Sequence, residues 1–268
     1  MTAAATRWRA PLLIRLSIGA HLGVILLLLW YPAAWVSLLA IIAADHLLIT
    51  AVGLWPRSTW LGSNWTRLPD AARANNEICL TIDDGPDPAV TPQVLEILDR
   101  YRIKASFFCI AEQAARYPAL CREIVKRGHD VENHTMHHRH TFSLLGIHAY
   151  RREIEAAQIA LAAITGTSPL FFRAPAGLRN PFLDPVLHRL NLQLASWSVR
   201  AYDTRVRDAN RVKNKLLRGM RPGAILLLHD GNAARANDIP IILAVLPTLL
   251  QSAAINGLRF VRLREASR

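Results

Sequence analysis

Apolar positions along this chain fall into two regimes. From Leu12 to Trp30 almost every residue is apolar, with Arg15 and His21 as interruptions. After the uncharged break Tyr31-Pro32-Ala33-Ala34, a second apolar stretch over 35–55 carries Asp45 and His46. Each stretch is long enough to cross a bilayer, which takes ~20 residues. A removed signal peptide has a shorter apolar core and a small-residue cleavage site, so the pattern predicts a retained anchor. Trp30, Tyr31 and Trp35 at one end and Trp55 and Trp60 at the other suit the membrane interfaces. Arg7 and Arg9 precede the first stretch, Arg57, Arg67 and Arg73 follow the second, and the connection is uncharged. If both cross, the excess of positive charge places both ends in the cytoplasm. In such a hairpin Asp45 falls opposite His21, the kind of partner a carboxylate needs there. If the second stretch is instead an interfacial or core helix and the first alone crosses, the rest of the chain lies outside. Residues 57–76, with Gly62, Pro69 and Asn75-Asn76, read as a turn-rich linker.

From residue 77 onward the pattern changes. Strand-like runs over 78–82, 105–110, 130–132, 170–172, 192–197, 224–228 and 258–263 alternate with helical patterns. Thr91-Pro92 opens one helix, with Val94, Leu95 and Leu98 on its apolar face. Others cover about 118–127, 148–164, 185–190, 210–218 and 239–255. This alternation predicts an α/β fold, a parallel sheet with crossover helices. About seven strand–helix units favour closure into a barrel over an open sheet. The apolar helix at 239–255 is expected to pack on that barrel.

Charge and cysteine usage narrow the partners. The 268 residues carry a net charge of +12 while 51% are hydrophobic. A chain at once basic and apolar suits an anionic membrane surface or a phosphate-bearing substrate. It has no Lys/Arg block interleaved with aromatics and no zinc-finger or RNA-binding signature, so nucleic acid is not an expected partner. Three cysteines, Cys79, Cys109 and Cys121, lack framework spacing, which argues against a disulfide scaffold. Cys79 and Cys109 sit in apolar runs and read as small buried hydrophobes.

Polar residues recur where each strand ends, the edge at which parallel α/β folds gather their chemistry. Asp83-Asp84-Gly85-Pro86 follows the first strand, Asn133 to His138 the third, Arg173-Ala174-Pro175-Ala176-Gly177 the fourth, Asp203 the fifth and His229-Asp230-Gly231 the sixth. Asp-Gly and Gly-Pro are common turn formers, and Asp87 either shapes that turn or touches substrate. Adjacent carboxylates, however, repel unless a cation lies between them or one holds a proton. His134 and His138 are four apart, a spacing that aims both rings the same way on a helical turn. With Asp84 they form two imidazoles and a carboxylate with open positions, a ligand set for zinc or another divalent first-row ion. Such an ion polarises a carbonyl and acidifies a bound water. Asp83 is then placed to take that proton and His229 to protonate a leaving nitrogen, a metal-assisted amide or ester hydrolysis. His129, His137, His140 and His188 read as surface or supporting positions.

Thr-Ile-Asp-Asp-Gly-Pro, His-Thr-Met-His-His, Arg-Ala-Pro-Ala-Gly and Leu-Leu-His-Asp stand in the order and rough spacing of one family. The chain from about 78 to 263 resembles the polysaccharide deacetylases, the NodB-homology group of carbohydrate esterase family 4. The resemblance implies a distorted (β/α)7 barrel, here preceded by an N-terminal membrane-anchoring helical segment. The expected organisation is an anchor of two transmembrane helices over 1–56, a linker over 57–76 and a NodB-like catalytic domain over 77–268. By motif, Asp83 resembles the catalytic base and Asp84, His134 and His138 the ligands of one divalent ion, zinc first, with cobalt, nickel or manganese as others. Arg173 resembles the arginine that positions the base, His229 the general acid, and Asp203 the aspartate that orients it. Pro175 and Ala176 resemble substrate-contacting positions, with the Ala176 N–H as an oxyanion donor. Two departures stand out. Ala176 replaces an aromatic ring, and Arg200-Ala201-Tyr202-Asp203-Thr204 replaces Asp-x-x-Asp-Trp. The catalytic set is kept while the glycan-gripping set is altered. The resemblance thus implies a hydrolase of linear amides that removes an acetyl or formyl group from an amino sugar, and the membrane hairpin, basic charge and altered glycan motifs favour a lipid-linked, phosphate-linked or membrane-proximal one. Its expected place is a bacterial-type inner membrane, with membrane lipid as a partner and the catalytic domain facing the cytoplasm. An outward-facing cell-wall or exopolysaccharide N-deacetylase is the alternative, and a non-catalytic membrane-bound glycan-binding protein is the alternative of another class.

Overall fold

The computed structural model describes residues 7–267; residues 1–6 of the expected anchor and residue 268 of the expected catalytic domain lie outside the described residues. Helices α1 (Leu12–Trp30) and α2 (Trp35–Gly53) form a hairpin joined by the 3₁₀ turn Pro32–Ala34. Both are long and apolar enough to cross a membrane, and they leave side chains such as Leu26, Leu29 and Leu47 exposed. Their polar residues meet inside the hairpin. The Ser17 hydroxyl donates to Asp45 Oδ2 over 2.6 Å, His21 Nδ1 lies 3.9 Å from the same oxygen, and the His21 and His46 Nε2 atoms are 3.3 Å apart. The expected facing of His21 and Asp45 is therefore present, with Ser17 as the nearer partner.

The stretch after α2 is fastened to the globular part. Arg179 N–H donates to Gly53 O (3.1 Å), Ser196 Oγ to Pro56 O (2.7 Å), and the Asn64 amide to Pro56 O and Ser58 O (3.0 Å each). Leu61 and Leu68 are buried, and Trp65 bridges to Ala195 in parallel.

The strands are β1 (Glu77–Asp83), β2 (Ser106–Cys109), β3 (Asp130–Asn133), β4 (Phe171–Phe172), β5 (Gln193–Leu194), β6 (Val199–Arg200), β7 (Ile225–His229), β8 (Arg235–Ala236), β9 (Ile239–Pro240) and β10 (Arg259–Phe260). The further helices are α3 (Asp70–Ala74), α4 (Thr91–Arg100), α5 (Ala111–Arg116), α6 (Pro118–Lys126), α7 (Ile147–Thr165), α8 (Leu183–Arg189), α9 (Ala209–Gly219), α10 (Ile241–Ile255) and α11 (Leu263–Ala266). The main sheet is parallel in the order β5-β4-β3-β2-β1-β7-β6. It curls into the distorted barrel, and among the described residues no ladder joins β5 to β6. β10 pairs with Glu77 and Ile78 of β1, while β2 takes up Thr81 to Asp83.

Local differences from the sequence pattern have local causes. The run over 192–197 breaks after β5 because Ser198 N–H bonds Ile225 O instead, and β6 then pairs with β7. The run over 258–263 stops at Phe260 because α11 begins at Leu263. The helix expected from 239 starts at Ile241, since Ile239 and Pro240 form a small antiparallel ribbon with β8.

β1 and β7 are buried along their whole length, as central parallel strands covered on both faces must be. Val94, Leu95 and Leu98 of α4, Tyr150, Ile154, Ala157 and Leu161 of α7, and Ile242, Val245, Leu246 and Leu249 of α10 recur at helical spacing and are buried. A fully buried leucine such as Leu226 contributes about 1.5–3 kcal/mol. This core fixes the strand ends, and the chain leaves α2 beside them.

Candidate active site

The β1 ladder ends at Asp83, and the next residue, Asp84, has a left-handed φ of 75°. Asp83 and His229 are register partners on β1 and β7, so they stand side by side at one edge. The loops beyond them are in close contact. A Cβ on Gly85 would lie 2.4 Å from the Asp230 carboxylate, and one on Gly231 would lie 2.3 Å from Asp84 O. Glycine is required there for room. Asp230 is itself buried and accepts from Gly231 N–H and the Thr91 hydroxyl. Burial outweighs those bonds and pushes its carboxyl up to about 7.

Asp83 is buried against a fully buried Arg173. Arg173 Nη1 donates to Asp83 Oδ1 (2.6 Å) and Thr81 Oγ1 (2.9 Å), Nη2 to Ser196 O (2.8 Å) and Nε to Ala195 O (3.1 Å). Its guanidinium lies 4.0 Å from the Phe108 ring centroid. The guanidinium is thus held on several sides and presents one fixed charge to the carboxylate.

His134, His138 and Asp84 converge beside this pair. His134 Nε2 is 3.2 Å and His138 Nε2 3.3 Å from Asp84 Oδ1. One donor atom from each of the three lies within 4.8 Å of the others. The convergence does not come from the helical turn that the spacing suggested. The segment is a loop in which Thr135 and His138 have φ of 70° and 51°. Asn133 Oδ1 accepts from Thr135 N–H, Thr135 Oγ1 from His138 N–H, and the buried Glu153 from His137 N–H. His134 Nδ1 faces Arg173 O at 2.8 Å. A proton on Nδ1 makes that bond and leaves Nε2 as the ring atom that faces Asp84. Burial, with the charge of His134, pushes His138 down to about 4. Burial pushes the Asp84 carboxyl up, but the hydrogen bond and charge of His134, with His229 and His138, hold it well below the usual carboxylate range. Two imidazole nitrogens and a carboxylate oxygen thus converge, a donor set that fits one divalent cation.

His229 is set apart from that cluster. Its backbone N–H donates to Asp203 Oδ2 (2.8 Å) and its Nδ1 to Asp203 Oδ1 (2.9 Å). Burial alone would lower its pKa, but the buried Asp203 carboxylate, helped by Asp84 and Asp83, raises it to about 9. With Nδ1–H committed to Asp203, the second proton of the imidazolium sits on Nε2, free to be given away.

A cavity of about 420 Å³ unites Asp83, Asp84, His134, His138, Ala176 and His229. Pro175 is buried just behind Ala176, whose φ of 53° turns the loop there. Asp203 and Arg173 stand behind the cavity wall, each holding one of its side chains. The sequence reading missed Trp197, Arg200, Arg205 and Asn232, which also line it. Trp197 supplies an aromatic wall from a different strand end than position 176. Asp87 shapes its turn by accepting from Ala89 and Val90 N–H. His129, far from being a surface residue, is buried and accepts from Ala105 N–H. Cys79 and Cys109 are free and buried, as expected.

Residues 70–195 match the family described as Polysaccharide deacetylase. The chain is 32% identical over 198 residues to a peptidoglycan-N-acetylglucosamine deacetylase of Bacillus cereus, covering 72% of this chain and 90% of that protein. It is 35% identical over 154 residues to a chitooligosaccharide deacetylase of a Bradyrhizobium species, covering 58% and 70%. A solved peptidoglycan N-acetylglucosamine deacetylase in complex with 4-naphthalen-1-yl-N-oxidanyl-benzamide superposes with a TM-score of 0.68 at 27% identity, covering 75% of this chain and 90% of that one.

Proposed function

This chain belongs to the polysaccharide deacetylase family of amide hydrolases, and from that membership we propose that it removes the N-acyl group, acetyl or formyl, from an amino sugar presented at a membrane. The relatives' names give the precedent, N-acetylglucosamine in peptidoglycan and a chitooligosaccharide. One observation carries the reading. Asp83 and His229 are register partners, and each is locked to a buried counter-charge, Arg173 for the acid and Asp203 for the imidazole. That pairing separates a carboxylate acceptor from an imidazole donor, the division of labour that acid–base hydrolysis requires.

Asp84, His134 and His138 would hold the divalent ion, zinc first among the candidates, which when bound acidifies water and polarises the acyl carbonyl. Asp83, oriented by Arg173, accepts the proton of the attacking water. The Ala176 N–H donates to the developing oxyanion. His229 gives its Nε2 proton to the amine nitrogen as the carbon–nitrogen bond breaks, so that a carboxylic acid and a free amine leave. Asp203 keeps the ring oriented for that transfer.

The hairpin acts as the membrane anchor, residues 1–56, with 57–76 joining it to the catalytic domain at 77–268 and both ends in the cytoplasm. Flanking arginines and two spans of suitable length support this. Closeness supports a membrane-held substrate. Pro56, at the exit of the hairpin, lies so near Gly177 that a Cβ there would sit 2.6 Å from it, and Gly177 adjoins the cavity at Ala176. The relatives' peptidoglycan substrate favours a second reading, an outward-facing cell-wall deacetylase. Full-length protein in detergent, supplied with zinc, should release acetate from N-acetylchitotetraose or from a lipid-linked N-acetylglucosamine. His134→Ala should abolish both that release and the bound metal measured by elemental analysis. Acetate release that persists in the metal-free variant would contradict the reading.

A further inference from the structure

The catalytic cavity shares a wall with a second one. The neighbour, about 780 Å³, is lined by Arg205, Arg207 and Arg235, with Asp238 as its acidic residue. Thr204, Arg205 and Asn232 line both. Arg205 and Arg207 make no ion pair or side-chain hydrogen bond among the described residues. The acids beside them in sequence are committed elsewhere. Asp203 holds His229, and Asp208 caps α9 by accepting from Asn210 and Arg211 N–H. Arg235 spends one donor on Asp238 O (2.8 Å).

Arg200 reaches the catalytic cavity itself. Its guanidinium carbon lies 5.0 Å from the Trp197 ring centroid and 5.1 Å from that of Tyr202, and its buried Nε has no hydrogen-bond partner. The turn that carries these arginines is built firmly. Arg205 and Val206 N–H both bond Tyr202 O (2.9 and 2.8 Å), and Ala234 N–H bonds Asp203 O (2.9 Å), joining the two walls of the second cavity. Like charges gathered on a fixed frame repel one another, and a ligand of opposite charge removes the conflict. The planar fork of arginine matches phosphate oxygens in pairs.

We propose that Arg205, Arg207 and Arg235 form an anion subsite beside the acyl-cleavage site, with Arg200 adding positive charge from the adjoining catalytic cavity, and that the amino sugar this protein selects carries a phosphate or diphosphate group. The inference rests on the deacetylase reading and names its substrate class. The phosphate sits in the second cavity while the N-acyl group of the same sugar reaches Asp83 and His229. The volume admits a diphosphate with its linkage to a further group, either a lipid or a nucleoside.

The test uses the full-length metal-loaded protein in detergent. Acetate release is compared for diacetylchitobiose, N-acetylglucosamine 1-phosphate, a nucleoside diphosphate N-acetylglucosamine and a lipid-linked N-acetylglucosamine diphosphate. We expect kcat/KM for the phosphorylated sugars to exceed that for the neutral one by at least about tenfold. That ratio should collapse toward one in Arg205→Ala/Arg207→Ala and persist in Arg205→Lys/Arg207→Lys. A preference between the two diphosphates identifies the lipid or the nucleoside as the carrier. Calorimetric titration with inorganic diphosphate reads the subsite without turnover, and the wild type should bind at least about tenfold more tightly than the alanine pair. Equal rates for neutral and phosphorylated sugars, or equal diphosphate binding by wild type and alanine pair, overturn the subsite. Weakened diphosphate binding in the alanine pair with no acetate release from any sugar sustains the subsite and overturns the deacetylase reading instead.

Discussion

Changing Asp203 to Asn removes one buried charge while nearly keeping its shape, and so tests the acid half of the site. Asp203 holds the His229 pKa at about 9 against a usual value of 6.5. That difference corresponds to about 3 kcal/mol of preference for the imidazolium. In stability it has a definite sign. The pair stabilises the fold fully below the usual histidine value of 6.5, and the contribution is lost as pH rises through about 9. On the proposed mechanism His229 acts as acid only while protonated, so the rate should fall on the alkaline side through about pH 9. Without the Asp203 charge, burial pulls the ring back to its usual range or lower. At pH ~8 the protonated fraction then drops from about 90% to about 3%, roughly a thirtyfold loss in kcat/KM from protonation alone. The asparagine also cannot accept both former hydrogen bonds, because one of its two polar atoms is a donor. The assay is acetate release against pH for wild type and D203N, with thermal unfolding near pH 6 confirming the fold. The reasoning is refuted if the alkaline limb stays in place and the rate falls evenly at every pH.

Two further outcomes follow from the same geometry. Arg173→Met leaves Asp83 buried without its counter-charge, which should cost about 3–5 kcal/mol and lower the thermal midpoint markedly; an unchanged midpoint would mean that the pair is not what holds Asp83 in place. One-sided reporters fused at the C-terminal end should signal in the cytoplasm if the hairpin crosses twice, and a signal outside would move the site to the cell-wall side.

How much of this was legible in the sequence depends on how each residue is carried. Asp83, Asp84, His134, Arg173 and His229 stand at or beside the ends of strands long or apolar enough to recognise, and position alone brought them to one edge. The bonds of Asp203 to His229 could be expected from resemblance but not from pattern, since Asp203 lies in an irregular turn after a two-residue strand. The same irregularity hid Trp197, Arg200 and Arg205. Strand pairs of two residues leave no periodicity to read, and α5, of six residues, completes too few turns. The histidine pair shows a subtler limit. Its four-residue spacing is compatible with a helical turn, yet left-handed backbone at Thr135 and His138 brings the rings together, held by Asn133 and the distant Glu153. Spacing identified the donors without identifying the geometry that joins them.

The stretch between hairpin and sheet binds these conclusions together. Composition reads it as a linker, because Gly, Pro and Asn punctuate it. In the fold, however, it supplies part of the barrel's wall. Pro56 O accepts from Ser196, whose carbonyl accepts from Arg173, the residue that holds Asp83. Arg179, two residues past Gly177, ties its backbone to Gly53 and its side chain to Ser58 O. A continuous chain of hydrogen bonds thus runs from the end of α2 to the Asp83 carboxylate. A free tether would leave the hairpin to set only where the domain floats. Bonds of this kind instead fix which way the cavity opens relative to the hairpin. If the hairpin is embedded in a membrane as proposed, a substrate carried in that membrane would then meet Asp83 and His229 in one orientation, with the arginines of the neighbouring cavity positioned to take its charge.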